Sequence, residues 1–121
     1  MTLVGKFGGA MTEFNLEIGM PAAADALRRL AGIISTQRAL RTRVIKLIHG
    51  YGSTRKGGKI RSEVRRYLDD CRKKGTIKGY VKGEEFSIFS EGTRALLARC
   101  PEVARDKDLE KYNNGITIVL L

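Results

Sequence analysis

The spacing of apolar residues along this chain predicts four strands. Apolar and polar residues alternate over residues 14–18, which is typical of a short half-buried strand that ends at the following glycine. The segment Val44–Ile48 is apolar except for Lys46, which favours a strand covered on both faces. Residues 76–81 and the β-branched residues 116–121 predict the third and fourth strands.

Helical spacing appears in three segments between these strands. Residues 21–40 begin with a proline, which a first turn tolerates, and then carry apolar residues on one face. Residues 59–74 repeat apolar positions at helical spacing and stop at a glycine. A short third helix is expected to begin after Ser90, which would cap it, and to run through Arg99 before Pro101.

The order of these elements is β-α-β-α-β, an irregular insert over residues 84–114, and a last strand. Two crossovers would make the first strands parallel, and the last two strands should supply an antiparallel neighbour. The fold prediction is therefore a two-layer α/β domain with a mixed four-stranded sheet and a short helical insert before the last strand. Residues 1–12 are predicted as a flexible leader and 13–121 as one domain, with residues 105–112 as a surface connection.

Composition changes this picture only by excluding some classes of protein. No apolar run approaches the roughly 18 residues of a membrane span, and no signal-peptide pattern is seen, so a cytoplasmic protein is expected. The two cysteines, Cys71 and Cys100, have no short spacing, and the chain has one histidine. This argues against a disulfide framework or a zinc site, so both cysteines are expected to be buried.

The net charge of +10 is unevenly distributed. Residues 28–82 hold 17 lysines and arginines against three acidic residues, whereas residues 83–121 hold five against seven. A concentrated basic region indicates a polyanion partner, with nucleic acid ahead of a membrane because the helices carry ordinary core-facing stripes. The alternative is that these cations only solvate helix faces.

The basic region contains a strand, a glycine-rich cationic segment and a basic helix, between residues 44 and 68. Glycines let backbone amides approach a ligand, and the start of a helix favours an anion, so phosphate is the expected ligand. A nucleotide-binding P-loop does not fit, because Ser53 stands at its first glycine position and Ile60 at its magnesium-binding position. The predicted nucleic-acid-binding residues are Gly50, Tyr51, Gly52, Arg55, Lys56, Gly57, Gly58, Lys59 and Arg65.

His49 is the candidate for chemistry, since an imidazole that titrates near neutral pH suits proton transfer during phosphodiester cleavage. Its alternative role is to cap the strand and to hydrogen-bond the loop backbone. Arg61 is the second candidate catalytic residue, because a guanidinium can grip a phosphate with two hydrogen bonds.

Two motifs together resemble the Smr domain, the small MutS-related family. They are Ile48-His49-Gly50-Tyr51-Gly52, followed by Ile60-Arg61, and the closing segment Gly-Ile-Thr-Ile-Val-Leu-Leu at 115–121. The resemblance covers roughly residues 14–121 and implies a domain that binds DNA or RNA, often with nicking endonuclease activity. Members typically carry Asp-Leu-His-Gly or Asp-Leu-x-Gly at the end of the first strand. This chain has Asn15-Leu16-Glu17-Ile18-Gly19, so the motif's Asp and His are absent.

Three functions remain open from the sequence. The first is a DNA or RNA nicking enzyme, in which any Mg²⁺ would have to be held by Glu17, Glu63 or substrate phosphates. The second is a non-catalytic module that recognises DNA or RNA structure. The third is an adaptor for an acidic protein partner.

Overall fold

A computed structural model describes residues 11–19, 21–50 and 55–121, and for residues 55–58 it describes the backbone only. The strands are β1 (Thr12–Asn15), β2 (Val44–Ile48), β3 (Gly79–Lys82) and β4 (Ile116–Leu120). The α-helices are α1 (Ala23–Ala39), α2 (Arg55–Lys73) and α3 (Glu91–Arg99). Two 3-10 turns, Gly83–Glu85 and Pro101–Arg105, flank α3. None of the helices in these ranges combines the length and the apolar character of a membrane span.

The four strands form one mixed sheet in the order β1-β2-β4-β3. β1 and β2 are parallel, and Asn15 lies opposite Ile48. β4 is antiparallel to both of its neighbours, and Thr117 near its start lies opposite Leu47 in β2 and Lys82 in β3. The predicted α/β class and the mixed four-stranded sheet are confirmed. Because β4 runs against the others, its amino end meets the carboxyl ends of β1, β2 and β3 at one end of the sheet.

The helices α1 and α2 cover one face of the sheet. Leu30 and Ile34 of α1 pack with Val64 and Leu68 of α2 in a buried cluster that includes Ile45, Leu47 and Val119 of the sheet. Each apolar side chain buried in this way contributes about 1.5–3 kcal/mol to folding. The predicted apolar stripes of both helices are therefore the faces that hold them on the sheet.

The insert forms an additional layer on the opposite face. Phe86, Leu96 and Val103 from the insert are buried against residues of β2, β3 and β4. Ser90 caps α3 as predicted, since its hydroxyl accepts a hydrogen bond from the backbone of Thr93. The domain thus has helices on both faces of the sheet, which adds one layer to the two that were predicted.

The expectation that residues 105–112 form a surface connection is wrong for two of its acidic residues. Asp106 and Asp108 are buried and form ion pairs with the buried Nζ of Lys46, at 2.9 Å for Asp106. Glu13 lies 3.5 Å from the same Nζ. Burial alone would lower the pKa of Lys46, but the hydrogen bonds and charges of Asp108 and Asp106 raise it above its ordinary value. Lys46 is therefore charged inside the domain. Its position in β2 directs its side chain toward the insert, where the two aspartates lie.

Several predicted boundaries are shifted. β1 covers Thr12–Asn15 rather than 14–18, because the Asn15 side chain accepts a hydrogen bond from the backbone of Glu17 and turns the chain, which leaves Ile18 exposed. Thr12, predicted as part of the leader, is the first residue of β1, and residues 1–10 lie outside the described residues. β3 begins at Gly79 rather than at residue 76.

Candidate nucleic-acid interface

The predicted site lies at the end of the sheet where four strand ends meet, here called the His49 edge. Among the described residues it comprises residues 16–19 after β1, His49 and Gly50 after β2, the end of β3, the start of β4 and the start of α2. The backbone N–H groups of His49 and Gly50 both donate to the carbonyl of Gly115, at 2.9 and 3.0 Å. These bonds attach the residues after β2 to the residue before β4.

His49 is fully buried, and both of its ring nitrogens have partners. Nδ1 lies 3.1 Å from the carbonyl oxygen of Gly50, and Nε2 lies 2.8 Å from the hydroxyl of Thr117. A carbonyl oxygen can only accept, so Nδ1 carries the hydrogen, and in the neutral ring Nε2 then accepts the hydroxyl hydrogen of Thr117. These two contacts therefore select a single tautomer of the neutral imidazole.

The surroundings of His49 keep it neutral well below pH 7. Its pKa is lowered to about 4, with burial as the largest cause and the positive charges of Arg65 and Arg61 as smaller causes in the same direction. The hydrogen bond with Gly50 and the charge of Glu84 oppose this shift without overcoming it. A buried neutral histidine suits the strand-capping role better than the near-neutral titration expected from the sequence.

Arg65 connects His49 to the end of β3. Its Nη1 and Nη2 donate to the two carboxylate oxygens of Glu84 at 2.8 and 2.7 Å, and its Nε donates to the Thr117 hydroxyl at 3.3 Å. Burial would raise the pKa of Glu84, but the hydrogen bonds from Arg65 lower it below its usual range. Arg65, predicted to contact phosphate, thus forms a bidentate and partly exposed ion pair with Glu84.

Gly50 is required by the local geometry. Its φ is +85°, and a Cβ there would overlap the carboxylate of Glu17. Both facts favour glycine at this position. The close approach places the half-buried Glu17, the acidic residue nearest to the altered first-strand motif, directly against the residues that follow β2.

The other predicted site residues belong to α2 or lie outside the description. α2 begins at Arg55, four residues before the predicted start, so Arg55, Lys56, Gly57 and Gly58 belong to its first turn by their backbone instead of to a loop. That first turn contains no acidic residue. Lys59 is exposed and Arg61 is half-buried. Tyr51 and Gly52 lie outside the described residues, so their roles stay predictions.

Sequence reasoning missed two residues of this site, Thr117 and Glu84. The closing motif includes Thr117 but marks it only as a strand residue, and the pattern around Glu84 is typical of a loop. A signal for Thr117 was available, because a polar residue in the middle of a buried β-branched strand needs a partner. Across the described ranges, no group of three or more His, Cys, Asp or Glu side chains is arranged to hold a metal ion.

Comparison with known proteins identifies the family. A model of the Smr domain matches residues 18–85, which is more than half of the chain. The matched segment contains β2, α2 and β3, and it ends at the 3-10 turn that carries Glu84. No curated protein and no solved structure matches the chain. On the strength of the match over residues 18–85, this chain belongs to the Smr domain family.

Proposed function

We propose that the domain binds the phosphate backbone of DNA or RNA at the His49 edge. The observation that carries this proposal is the start of α2, which lies beside the residues following β2, has no acidic residue in its first turn and presents Lys59 at its surface. The amino end of a helix carries a partial positive charge and unpaired N–H groups, both of which favour a phosphate. Membership of a nucleic-acid-associated family supports a phosphodiester rather than a free anion.

In this proposal His49 positions the site instead of contacting the ligand. Its ring joins the Gly50 carbonyl to Thr117 in β4, and so fixes the direction in which the chain leaves β2 toward α2. Arg65 and Glu84 hold Thr117 from the other side. A fixed set of donors binds a phosphate without first losing conformational freedom, which improves affinity.

The test measures binding to labelled duplex DNA, branched DNA and stem-loop RNA over a series of salt concentrations. The double variant Lys59→Gln, Arg61→Gln should bind more weakly than wild type, and its log Kd should depend less steeply on log salt, by about 0.9 for each duplex phosphate that is no longer neutralised. The control is Arg105→Gln, Lys107→Gln, which removes the same charge from exposed positions in the insert layer. If wild type binds none of the three nucleic acids at moderate salt, the proposal is wrong.

A second candidate function, nicking of the bound strand, is favoured by the position of Glu17. Its carboxylate lies against Gly50 and is partly exposed, whereas His49 is buried and neutral. Glu17 is thus the better placed base for activating a water, and Arg61 is the cation of α2 that would stabilise charge on the phosphate. A magnesium ion, if cleavage needs one, would take its ligands from Glu17, Glu63 or the phosphates of the substrate.

Cleavage assays with and without Mg²⁺ separate the two functions. Nicking that is abolished in Glu17→Gln while the affinity is retained would establish the enzyme with Glu17 as its base. Nicking abolished in His49→Gln with the affinity unchanged, but retained in Glu17→Gln, would return the catalytic role to His49. Binding without cleavage in wild type under both conditions would make this domain a recognition module.

A further inference from the structure

A groove of about 320 Å³ lies at the end of the sheet opposite to the His49 edge. It is formed by the residues after α1, the residues before β2 and the segment between α2 and β3. Four cationic residues line it, and none of the described residues lining it is acidic; the four are Arg38, Arg41, Arg43 and Lys78. This cationic groove is not used by the function proposed above.

The charge of the cationic groove exceeds what the protein itself can balance. Arg43 donates to Glu102 at 2.9 Å, whereas Arg38, Arg41 and Lys78 form no ion pair with any described residue. Two helices end here, and each carboxyl end carries about half a negative charge. Those two ends together offset about one cation, so the cationic groove keeps a net positive charge that suits an external anion.

Arg41 adds a second observation that points to a ligand. Its backbone φ is +60°, in the left-handed region, and its N–H closes the end of α1 by donating to Arg38 at 3.0 Å. Glycine or asparagine usually occupies this position after a helix, because other side chains are strained there. A strained arginine whose side chain lines a groove indicates that the side chain is used.

We propose that the cationic groove is a second contact for the backbone phosphates of the same nucleic acid that binds at the His49 edge. This proposal rests on the function proposed above. Arg43 at one site and Gly50 at the other are seven residue steps apart along the chain, a distance of about 23 Å at about 3.3 Å per residue. That is about seven base pairs along one strand of a duplex, so one molecule of moderate length reaches both ends.

The experiment compares salt dependence on a 24-base-pair duplex for two triple variants. Arg38→Gln, Arg41→Gln, Lys78→Gln removes the three cations of the groove that form no ion pair with a described residue. If two or three phosphates are no longer neutralised, the slope of log Kd against log salt should fall by about 1.8 to 2.7. Arg105→Gln, Lys107→Gln, Lys111→Gln removes the same net charge from exposed residues of the insert layer and should leave the wild-type slope.

The outcomes distinguish this inference from the function on which it rests. If wild type does not bind the duplex, the proposed function fails and the groove proposal fails with it. If wild type binds and the Lys59→Gln, Arg61→Gln variant loses slope, but the groove variant behaves as its control, only the groove proposal is overturned. The proposal is also overturned if titration with the duplex shifts the NMR amide signals of the His49 edge but not those of Thr76 and Lys78.

The single substitution Arg41→Gly keeps the test valid if the triple variant does not fold. It removes the backbone strain together with the guanidinium, so it should raise the melting temperature while it weakens binding. A variant that is more stable and binds as tightly as wild type would contradict a role for Arg41 in binding. The opposite signs of the two effects separate a missing phosphate interaction from a damaged fold.

Discussion

Acidification from pH 7 to pH 5 should destabilise this domain mainly through His49, the group whose pKa shift spans this range. The chain has one histidine, and its pKa in the folded protein is about 4 against an ordinary value of 6.5. Between these two values the unfolded chain binds a proton that the folded protein excludes. The contribution of His49 to the free energy of unfolding is therefore fully present above about pH 6.5 and is lost as the pH falls toward 4.

The size of this effect follows from the difference between the two pKa values. Each unit corresponds to about 1.4 kcal/mol, so the whole shift corresponds to about 3 kcal/mol. Between pH 7 and pH 5 the unfolded chain takes up most of a proton, and about 2 kcal/mol of that total is lost. For a domain of this length, the melting temperature should fall by roughly 6–8 °C.

The assay is thermal and urea unfolding of wild type and His49→Gln at pH 7, 6 and 5. Glutamine does not titrate, and its amide can still accept from the Thr117 hydroxyl, so the variant keeps the contact but not the proton site. The variant is expected to be less stable than wild type at pH 7, with a much flatter dependence on pH. Curves for the two proteins that run parallel between pH 7 and pH 5 would refute the assignment of a buried neutral His49.

Three further predictions test other parts of the fold. Lys46→Ala leaves the Asp106 carboxylate buried without its cation and should lower the free energy of unfolding by about 3 kcal/mol or more, measured by urea denaturation at pH 7. Gly83→Ala should prevent normal folding or cost several kcal/mol, since a Cβ there would overlap the backbone oxygen of Asn113, and circular dichroism beside Gly79→Ala, where there is open space, provides the comparison. Arg41→Gly should increase the free energy of unfolding by about 1 kcal/mol through relief of backbone strain, and an unchanged or lower value by urea denaturation would contradict the strain argument.

The elements of the sheet and its helical layer could be predicted because their signals are local. The apolar run of β2 and the helical spacing of residues 60, 64 and 68 mark faces that are buried in the structure. Gly75 ends the helix that contains the latter, and its φ of +76° is the conformation that made a glycine expected there. Local sequence patterns were therefore sufficient to predict the elements in which buried positions recur at a regular spacing.

The insert layer and the surroundings of Lys46 could not be predicted in the same way. Residues 105–112 have a mixture of charges that is typical of a surface segment, and only contact with β2, 60 residues earlier, makes Asp106 a buried partner. Lys46 itself was visible as an interruption of an apolar strand. A buried lysine requires a carboxylate, but the sequence does not say which of the 13 acidic residues supplies it.

The structure brings the residues after β2 and the start of α2 to one end of the sheet, while their roles in binding and catalysis stay predictions. The residues after β2 lie at the sheet end where the strand ends meet, as a strand followed by a basic helix suggests. The protonation state of His49, however, depends on Thr117 and on the Arg65–Glu84 pair, which come from three separate segments. Reference pKa values apply to exposed groups, so the expected near-neutral titration did not allow for burial.

The acidic residues of the last third of the chain determine which cations face a nucleic acid. Glu84 holds Arg65, Glu102 holds Arg43, and two buried aspartates hold Lys46, so acids from residues 83–121 offset three cations of the basic region. The remaining exposed cations of that region lie mainly on α1, on α2 and near their ends, which is the helical side of the sheet. A nucleic acid should therefore approach from that side, where the field is positive, and not from the insert, where the two signs mix.

Cross-linking of the nucleic acid from single cysteines placed in turn at the exposed residues 66, on α2, and 94, on α3, tests this prediction. Cross-linking that favours position 94 would contradict it.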